Sequence, residues 1–239
     1  MADRYFAETP IPFQPGTELR VTLSGGEAHH LIHVMRATVG TRVTLFDGGG
    51  AEFPAEVGRM GRAEVELAVL QCDQISRELP RHVALAVALP KGDRQRWLVE
   101  KAVELGVAEL IPLATQRSVA QPVSQALDRL RRAVIEASKQ CGRNRLMHVA
   151  EPADWPALMA ATRAEPQRWL AHPGVQGEAA ACVTPRPGDR VFMAVGPEGG
   201  FTDEEVALAA AARWQPIHLG ARILRTETAA LAMAVLAAQ

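Results

Sequence analysis

The residues best suited to chemistry lie in loops that follow apolar runs in the C-terminal third of the chain. The first such loop, Gly196–Gly200 (GPEGG), comes directly after the buried-strand pattern Val191–Val195. Three glycines in five residues let the backbone turn sharply and approach a ligand closely. The loop matches neither a Walker loop nor G-x-G-x-x-G, so nucleotide phosphate binding does not follow. It predicts a ligand site at the end of a strand or, alternatively, a purely structural tight loop.

Two further loops belong to the same pattern. Leu219–Arg225 (LGARILR) precedes the final helix, which we expect Thr226 to cap. Its two arginines flank an apolar pair, which suits a pocket for a flat ring with positive charge nearby. Leu170–Gly174 (LAHPG) also follows a strand pattern. Because the carboxyl ends of parallel strands meet at one edge of a sheet, the three loops are expected to converge on one ligand.

Metal and nucleophile patterns are less complete. His29, His30 and His33 can present two imidazoles at helical spacing, but no cysteine or further histidine lies near them in the sequence, and surface or core histidines are the alternative. Cys141 lies in a basic stretch that can lower a thiol pKa, although no histidine partner is evident. There is no G-x-S-x-G elbow. We therefore predict no metal site and no cysteine or serine nucleophile.

The first 70 or so residues are predicted to form a small β-barrel with one helix. Short runs rich in Val, Leu and Thr alternate partially, and Asp47–Gly50 (DGGG) is a strong hairpin signal. A helix is expected to begin at Ser24–Gly26, with Glu27 in its first turn, and to continue to roughly Arg36. The predicted strands are Arg20–Leu23, Thr41–Phe46, Ala51–Val57 and Ala63–Leu70.

From Pro80 onward the pattern changes to alternating strands and helices, which predicts a mostly parallel α/β sheet. Val83–Leu89 is a continuous apolar run typical of a strand buried on both faces. Thr202 and Glu205 form a capping box at the start of a helix. We place the domain boundary at residues 73 and 74, with a β module at 1–73 and an α/β domain at 74–239. The predicted strands are Val83–Leu89, Ala108–Leu113, Leu146–Val149, Arg168–Ala171, Val191–Val195 and Ile217–Leu219, and the predicted helices are Arg94–Leu105, Ser124–Lys139, Trp155–Ala161, 203–213 and Thr226–Ala238.

Charge and composition narrow the class of protein. The 239 residues contain no apolar run near the roughly 20 residues of a spanning helix, and the N-terminus lacks a signal-peptide pattern, so we expect a cytoplasmic protein without membrane contact. The net charge of −1 hides a basic middle segment, because residues 76–150 carry thirteen Lys and Arg against seven acids. Its densest part, Arg129–Arg145, is the best candidate for binding a polyanion, with a solvated helix face as the alternative.

These loops, together with three further segments, resemble the SPOUT-class RNA methyltransferases, and within them the family that methylates uracil N3 in small-subunit (16S) ribosomal RNA. The resemblance covers nearly the whole chain and includes an N-terminal His30-x-x-x-Val34-x-Arg36 pattern. The motifs that carry it are Gly196–Phe201 (GPEGGF), Leu219–Ala229 (LGARILRTETA), Leu89–Arg94 (LPKGDR), Glu100–Gly106 (EKAVELG) and Gln140–Asn144 (QCGRN).

The resemblance implies a C-terminal trefoil-knotted parallel-sheet methyltransferase domain, an N-terminal PUA-like barrel that helps to dock RNA, and a homodimer formed through the knotted domain. It also implies that S-adenosylmethionine binds inside the knot. The residues expected to bind this cofactor are Leu170, His172, Gly196, Pro197, Glu198, Gly199, Gly200, Leu219, Gly220, Leu224, Arg225 and Thr226.

The reaction that the resemblance implies places specific demands on the site. The N3 of neutral uridine carries a proton, so the enzyme needs a base or a cation that stabilises the uracil anion. We expect Arg143 and Arg225 to stabilise the anion, with Asn144 at a carbonyl edge, and Glu198 as a possible base or a loop-bracing carboxylate. The substrate is expected to be small-subunit ribosomal RNA in the assembled subunit. The expected RNA contacts are Arg129, Arg132, Lys139, Arg143, Asn144 and Arg145.

Two alternatives remain open from the sequence. A methyltransferase of the same class could act on a ribose 2′-hydroxyl, for example of transfer RNA. A ribosome-assembly factor could use the fold only to grip RNA, although the intact glycines of the loop and Arg225 argue against a binding-only protein.

Overall fold

The computed structural model describes residues 3–118, 124–173 and 189–239. By its contacts the chain divides into two compact units. Unit 1 comprises Met1–Glu78 and Ser138–Leu146, and unit 2 comprises Leu79–Ala137 and Met147–Gln239. The short segment Ser138–Leu146 therefore belongs with the N-terminal β module, although it follows more than fifty residues of the α/β region.

Unit 1 is built on a five-stranded sheet with the strand order β1-β3-β4-β5-β2. Strand β1 pairs in parallel with β3, and the remaining pairs are antiparallel. Inward-facing side chains alternate along β4 and β5, so that one face of each strand joins the core. The strands are β1 (Arg4–Phe6), β2 (Leu19–Leu23), β3 (Arg42–Phe46), β4 (Phe53–Met60) and β5 (Val65–Val69).

The single helix predicted for unit 1 is two segments. Helix α1 covers Gly25–His29, and a π-helix follows over His30–Val34. The chain leaves it through Arg36, which has a positive φ of 51°. The predicted helix therefore ends earlier than expected and changes its hydrogen-bond pattern. Strand β1 was not predicted, because three residues are too few to show an alternating pattern.

Unit 2 contains a seven-stranded parallel sheet with the order β12-β10-β11-β6-β7-β8, and β9 also pairs with β7. The central strand β6 is buried along nearly its whole length, as its apolar run predicts. The strands are β6 (His82–Val87), β7 (Glu109–Ala114), β8 (His148–Val149), β9 (Ala153–Asp154), β10 (Gln167–Ala171), β11 (Arg190–Val195) and β12 (Gln215–Ile217).

Helices pack against this sheet as in other α/β folds. Helix α6 packs against β6, β11 and α2, while side chains of α4 and α5 form a core cluster with other residues of the sheet. The sheet and the N-terminal β module confirm the predicted fold class. The helices are α2 (Arg94–Glu104), α3 (Ser124–Cys141), α4 (Trp155–Ala161), α5 (Asp203–Ala211) and α6 (Thr226–Ala238).

Several local predictions need correction. Asp93 precedes α2, but its side chain makes no capping hydrogen bond, because its backbone is already helical. Strand β12 ends at Ile217, two residues before the predicted end, and α5 ends at Ala211, before Arg213 adopts a positive φ of 60°. The loop after β12 is therefore two residues longer than predicted, whereas the connection before β12 keeps three residues because the strand begins at Gln215 and not at Ile217.

Candidate functional site

Three loops of unit 2 line one cavity at the carboxyl edge of the sheet. They follow β10, β11 and β12, which are paired in parallel as neighbours. The cavity has a volume of about 280 Å³. The predicted cofactor residues that line it are His172, Gly196, Pro197, Glu198, Gly199, Gly200, Leu219, Gly220, Leu224 and Thr226.

Two of the predicted cofactor residues do not line this cavity. Leu170 is buried in β10 and packs in the core cluster below the loops. Arg225 is exposed immediately before α6, outside the set of lining residues. Gly174, which belongs to the predicted loop after β10, lies outside the described residues.

The glycine-rich loop is shaped by two different constraints. Gly200 has a φ of +69°, and its N–H donates to the carbonyl of Pro197 at 2.8 Å, which closes a tight turn. At Gly196 the constraint is space, because a Cβ there would lie 3.0 Å from the ring of Phe201. The loop therefore needs glycine for backbone conformation at one end and for close packing at the other.

Thr226 connects two of the loops. Its hydroxyl donates to the carbonyl of Gly196 at 3.2 Å, and the residue is buried. The N-cap of α6 is Arg225 rather than Thr226, so the predicted capping role is wrong. The threonine instead ties the start of α6 to the glycine-rich loop, which fixes one wall of the cavity against another.

A fourth segment reaches the cavity from β7. Arg117 follows that strand and lines the cavity, and its Nη1 donates to the carbonyl of Gly199 at 2.7 Å. Arg117 is not among the site residues predicted from the sequence. The rule that pointed to the other three loops also applies to this one, since β7 lies beside β6 in the same parallel sheet.

Arg94 of α2 forms ion pairs with one residue of the glycine-rich loop and one residue of α6. Arg94 donates to Glu198 at 3.3 Å and to Glu227 at 3.4 Å. The side chain of Glu198 is 49% exposed, whereas that of Glu227 is 9% exposed. Glu198 is thus the carboxylate that remains open at the cavity, and Glu227 is the buried anchor of the same arginine.

Arg143 and Asn144 occupy a buried polar network within unit 1. The guanidinium of Arg143 pairs with both carboxylate oxygens of Glu78, and its side chain is 4% exposed. Asn144 is also buried, and it donates to the carbonyl of Ile75 while it accepts from Arg4. Contact of Arg143 and Asn144 with uracil remains a prediction from the sequence. The burial of both side chains favours a structural role.

Glu52 is the acidic centre of the same network. Arg4 and Arg77 donate to its Oε2 at 2.8 and 2.9 Å. Burial acts to raise the pKa of Glu52, but the hydrogen bonds from Arg77 and Arg4 outweigh it, and the pKa lies below its ordinary value. The network therefore pairs each of its three arginines with a carboxylate of unit 1, and two of them share Glu52.

The predicted RNA-contacting residues differ in accessibility. Arg129 and Arg132 on α3 and Arg145 after it are exposed. Lys139 is largely buried and pairs with Glu27 at 2.8 Å. Arg131, between the two exposed arginines of α3, pairs with Asp128 and Glu151. The structure thus leaves Arg129, Arg132 and Arg145 open to a large ligand.

The histidine and cysteine candidates form no recognisable reactive site. The rings of His29 and His33 contact each other in a tilted arrangement, with centroids 4.7 Å apart. Across residues 3–118, 124–173 and 189–239, no three His, Cys, Asp or Glu side chains cluster as metal ligands. Cys141 is half-buried, and Cys182 lies outside the described residues. Within the same described ranges, no helix is both long and apolar enough to cross a bilayer.

Comparisons with known proteins place this site in context. Residues 77–238 match the family described as RNA methyltransferase domain, and residues 23–70 match the RNA methyltransferase PUA domain.

Individual relatives agree with these matches. The chain is 34% identical to ribosomal RNA small subunit methyltransferase E of Synechocystis over 89% of this chain and 70% of the relative. It is 31% identical to the Bacillus subtilis protein of the same name, over 95% and 93% of the two chains. A solved structure of a methyltransferase from Legionella pneumophila with bound cofactor SAM is similar with a TM-score of 0.88 at 31% identity, over 99% and 97% of the two chains. The chain therefore belongs to the family of RNA methyltransferases that includes ribosomal RNA small subunit methyltransferase E.

Proposed function

We propose that this protein transfers a methyl group from S-adenosylmethionine to N3 of a uridine in small-subunit ribosomal RNA. The observation that carries the proposal is the cavity of unit 2, where loops from three neighbouring strands meet. The exposed arginines Arg222 and Arg225 lie in one of these loops. The names of the relatives support the ribosomal substrate. The N3 position rests on the sequence motifs and on the chemistry of the site.

The residues around the cavity suit S-adenosylmethionine. Glycines at positions 196, 199 and 220 keep the backbone free of side chains where a ligand must lie close. Apolar side chains from Leu219 and Leu224 provide walls for an adenine ring, and backbone groups of the loops can bind its edge. When bound, this cofactor supplies a methyl group that its positive sulfur already activates.

The protein must then prepare the uracil. We propose that Glu198, the open carboxylate at the cavity, accepts the N3 proton, and that Arg225 provides positive charge nearby. Arg94 holds Glu198 through a long hydrogen bond and anchors on buried Glu227. Arg143 and Asn144, which are engaged within unit 1, receive a structural role in this proposal.

The exposed arginines of α3 in unit 2 are proposed to dock the RNA, and Arg145 in unit 1 is proposed to add a separate contact. Arg129, Arg132 and Arg145 are exposed, whereas Lys139 already has a carboxylate partner. Arginines without such partners can bind phosphate groups and release counterions from the RNA. The PUA-like module, placed at residues 1–73, would add contacts of its own, with the methyltransferase domain at 74–239.

We also propose a homodimer formed through the α/β domain. Helix α6 carries no charged residue after Glu227, and Val235 remains 44% exposed on it. Trp97 is 45% exposed on α2, which packs against α6. A second copy of the chain would cover these apolar side chains and bring its own residues to the site.

An assembled small subunit in the cytoplasm is the proposed substrate.

The experiment that tests this function identifies the product. Purified protein is incubated with radiolabelled S-adenosylmethionine and small subunits that lack the modification, and the RNA is digested to nucleosides. Label in N3-methyluridine is the expected result. Label in a ribose-methylated nucleoside would keep the family and the cofactor but overturn the N3 assignment. Absence of label with intact cofactor binding would overturn the proposed substrate and favour the RNA-gripping alternative.

A further inference from the structure

Arg117 is held on the rim of the cavity by a rigid turn. The N–H of Thr115 donates to the hydroxyl of Ser118 at 2.9 Å, and the N–H of Ser118 donates back to the carbonyl of Thr115 at 3.1 Å. Between them, the N–H of Gln116 donates to Glu205 of α5 at 2.9 Å. The turn is thus fixed both internally and to the helix that follows the glycine-rich loop.

The side chain of Arg117 is positioned by the loop that it faces. Its Nη1 donates to the carbonyl of Gly199 at 2.7 Å and more weakly to that of Phe201 at 3.4 Å. Its methylene groups lie close to Gly199, where a Cβ would be 3.3 Å from Cδ. The guanidinium is therefore oriented by the backbone of the cavity itself, and a Cβ at position 199 would require the methylene groups of Arg117 to shift by a few tenths of an ångström.

Arg117 forms no ion pair in the described part of the chain. Backbone and Thr202 hydrogen bonds lower the pKa of Glu204 in the first turn of α5, and the positive charge of Arg117 adds to that lowering from a longer distance. Two carbonyl groups orient the guanidinium but do not neutralise it, and no carboxylate in residues 3–118, 124–173 or 189–239 lies within ion-pair distance. Of its five N–H donors, those on Nε and Nη2 have no acceptor in the same described ranges. Arg94, by contrast, has two carboxylate partners. Arg117 is thus a preorganised cation whose Nε and Nη2 groups can donate hydrogen bonds to a ligand.

We propose that Arg117 is a catalytic residue that donates hydrogen bonds to a carbonyl oxygen of the target uracil and stabilises its anion. The inference rests on the proposed N3 methylation. The N3–H bond breaks, and its proton passes to Glu198 or water. The electron pair left on N3 is shared with O2 and O4, where Arg117 binds. That pair then forms the bond to the methyl carbon while the bond from carbon to sulfur breaks and its electrons stay on sulfur. Because Arg117 binds oxygen, N3 remains free to react.

Other arginines fit this task less well. Arg222 also lines the cavity, but it lies in an exposed loop, and no hydrogen bond from the described residues fixes its guanidinium. Arg143 is paired with Glu78 inside unit 1. Preorganisation is what gives an electrostatic catalyst its advantage, since no reorganisation is needed when charge develops. Arg117 is the arginine at this cavity that backbone hydrogen bonds hold in place.

The experiment compares Arg117→Ala, Arg117→Lys and the control Arg163→Ala, which removes an exposed arginine of unit 2 away from the cavity. Cofactor affinity is measured by calorimetry, and formation of N3-methyluridine on unmodified small subunits is measured in single turnovers from about pH 6 to about pH 9. We expect Arg117→Ala to change the cofactor Kd by less than about threefold and to slow transfer by about 100-fold or more. Arg117→Lys keeps the charge and is expected to lose about tenfold.

The pH profile and a chemical rescue distinguish a catalytic role of Arg117 from a purely structural role in holding the glycine-rich loop. Without the cation, the rate of Arg117→Ala should rise steeply with pH throughout the range, whereas that of the unmodified enzyme levels off at lower pH. Subunits that contain 5-fluorouridine, whose N3–H is more acidic, should restore about tenfold or more of the lost rate in Arg117→Ala and change the unmodified enzyme little.

Three results would overturn the inference in distinguishable ways. If Arg117→Ala weakens cofactor binding as much as it slows transfer, keeps the normal pH profile and is not rescued, Arg117 only braces the loop. If the unmodified enzyme makes N3-methyluridine and Arg117→Ala matches it, this inference alone fails. If the unmodified enzyme labels another position, the proposed function fails, and the assignment of Arg117 to a uracil anion fails with it.

Discussion

Arginines serve opposite purposes in the two units of this protein. In unit 1, Arg4 and Arg77 share the carboxylate of Glu52, and Arg143 pairs with Glu78, in a network that is largely buried except at Arg77. At the cavity of unit 2, Arg117 is held by backbone carbonyls and has no carboxylate partner among the residues that the structure describes. The residue type is the same, but the arginines of unit 1 form ion pairs with carboxylates of the protein, whereas Arg117 can form an ion pair with a ligand.

The difference shows how to separate structural from functional charges. A buried ion pair that loses one partner leaves an uncompensated charge, so its removal mainly costs stability. An oriented cation at a cavity has its charge available for a substrate, so its removal mainly costs binding or rate. Substitutions in the two units should therefore separate loss of stability from loss of binding or rate.

Arg143→Ala should destabilise the protein, because it leaves the carboxylate of Glu78 without its partner. We expect the free energy of unfolding to fall by about 3 kcal/mol, measured by urea denaturation. The double variant with Glu78→Gln should recover part of that loss. A fall in methyl transfer without a fall in stability would contradict the structural role and restore Arg143 as a candidate for the uracil.

Gly196→Val should damage the cofactor cavity, since even a Cβ at this position would approach the ring of Phe201 to 3.0 Å. We expect the cofactor Kd, measured by calorimetry, to rise by about 10–100-fold, the range that overpacking by one branched side chain produces. The control is Gly26→Ala, where no atom lies within 4 Å of the added methyl group. Unchanged cofactor binding in Gly196→Val would place the ligand elsewhere.

Glu52→Gln should cost unit 1 stability in a pH-dependent way. The pKa of Glu52 is lowered in the folded protein, so its charge contributes stability above the unfolded value of about 4.3 and loses that contribution as pH falls through the folded value. We expect a loss of about 2 kcal/mol at neutral pH relative to the unmodified protein. Urea denaturation at successively lower pH should show the two proteins converging in acid, and a constant difference would contradict the account.

Arg129 and Arg132 should contribute to RNA binding through charge alone. Replacing both by alanine is expected to lower the slope of log affinity against log salt by about two and to weaken binding by roughly tenfold. Arg131→Ala, on the same helix, is the matched control, because this arginine already pairs with Asp128 and Glu151. Equal effects of the control and the double variant, in filter binding at several salt concentrations, would show that α3 is not a specific docking surface.

Much of the fold was predictable because its signals are local. Helices α4 and α6 have the predicted bounds, and the Thr202–Glu205 capping box is confirmed. Apolar runs and glycine punctuation carry this information within a few residues. Strand β1 and the π-helix were not predicted, since the first depends on a partner about forty residues away and the second on an altered hydrogen-bond pattern.

The site was predictable in its loops and less so in its charges. The parallel-strand rule pointed to Gly196–Gly200 and Leu219–Arg225, and most residues of both segments line the same cavity. Arg143 lies in a basic stretch of the sequence, but its ion pair with Glu78, 65 residues earlier, cannot be seen from the sequence. Whether an arginine is neutralised depends on tertiary contacts. Arg117 was not predicted, because it is a single arginine after a strand and no glycine-rich motif accompanies it.

The most direct test of this account measures methyl transfer by Arg117→Ala and Arg143→Ala side by side. Both are assayed on the same unmodified small subunits in single turnovers, and each rate is divided by the folded fraction of enzyme. The account predicts a loss of about 100-fold or more for Arg117→Ala and a change of less than about threefold for Arg143→Ala. The reverse order, with Arg143→Ala inactive while folded and Arg117→Ala active, would contradict it.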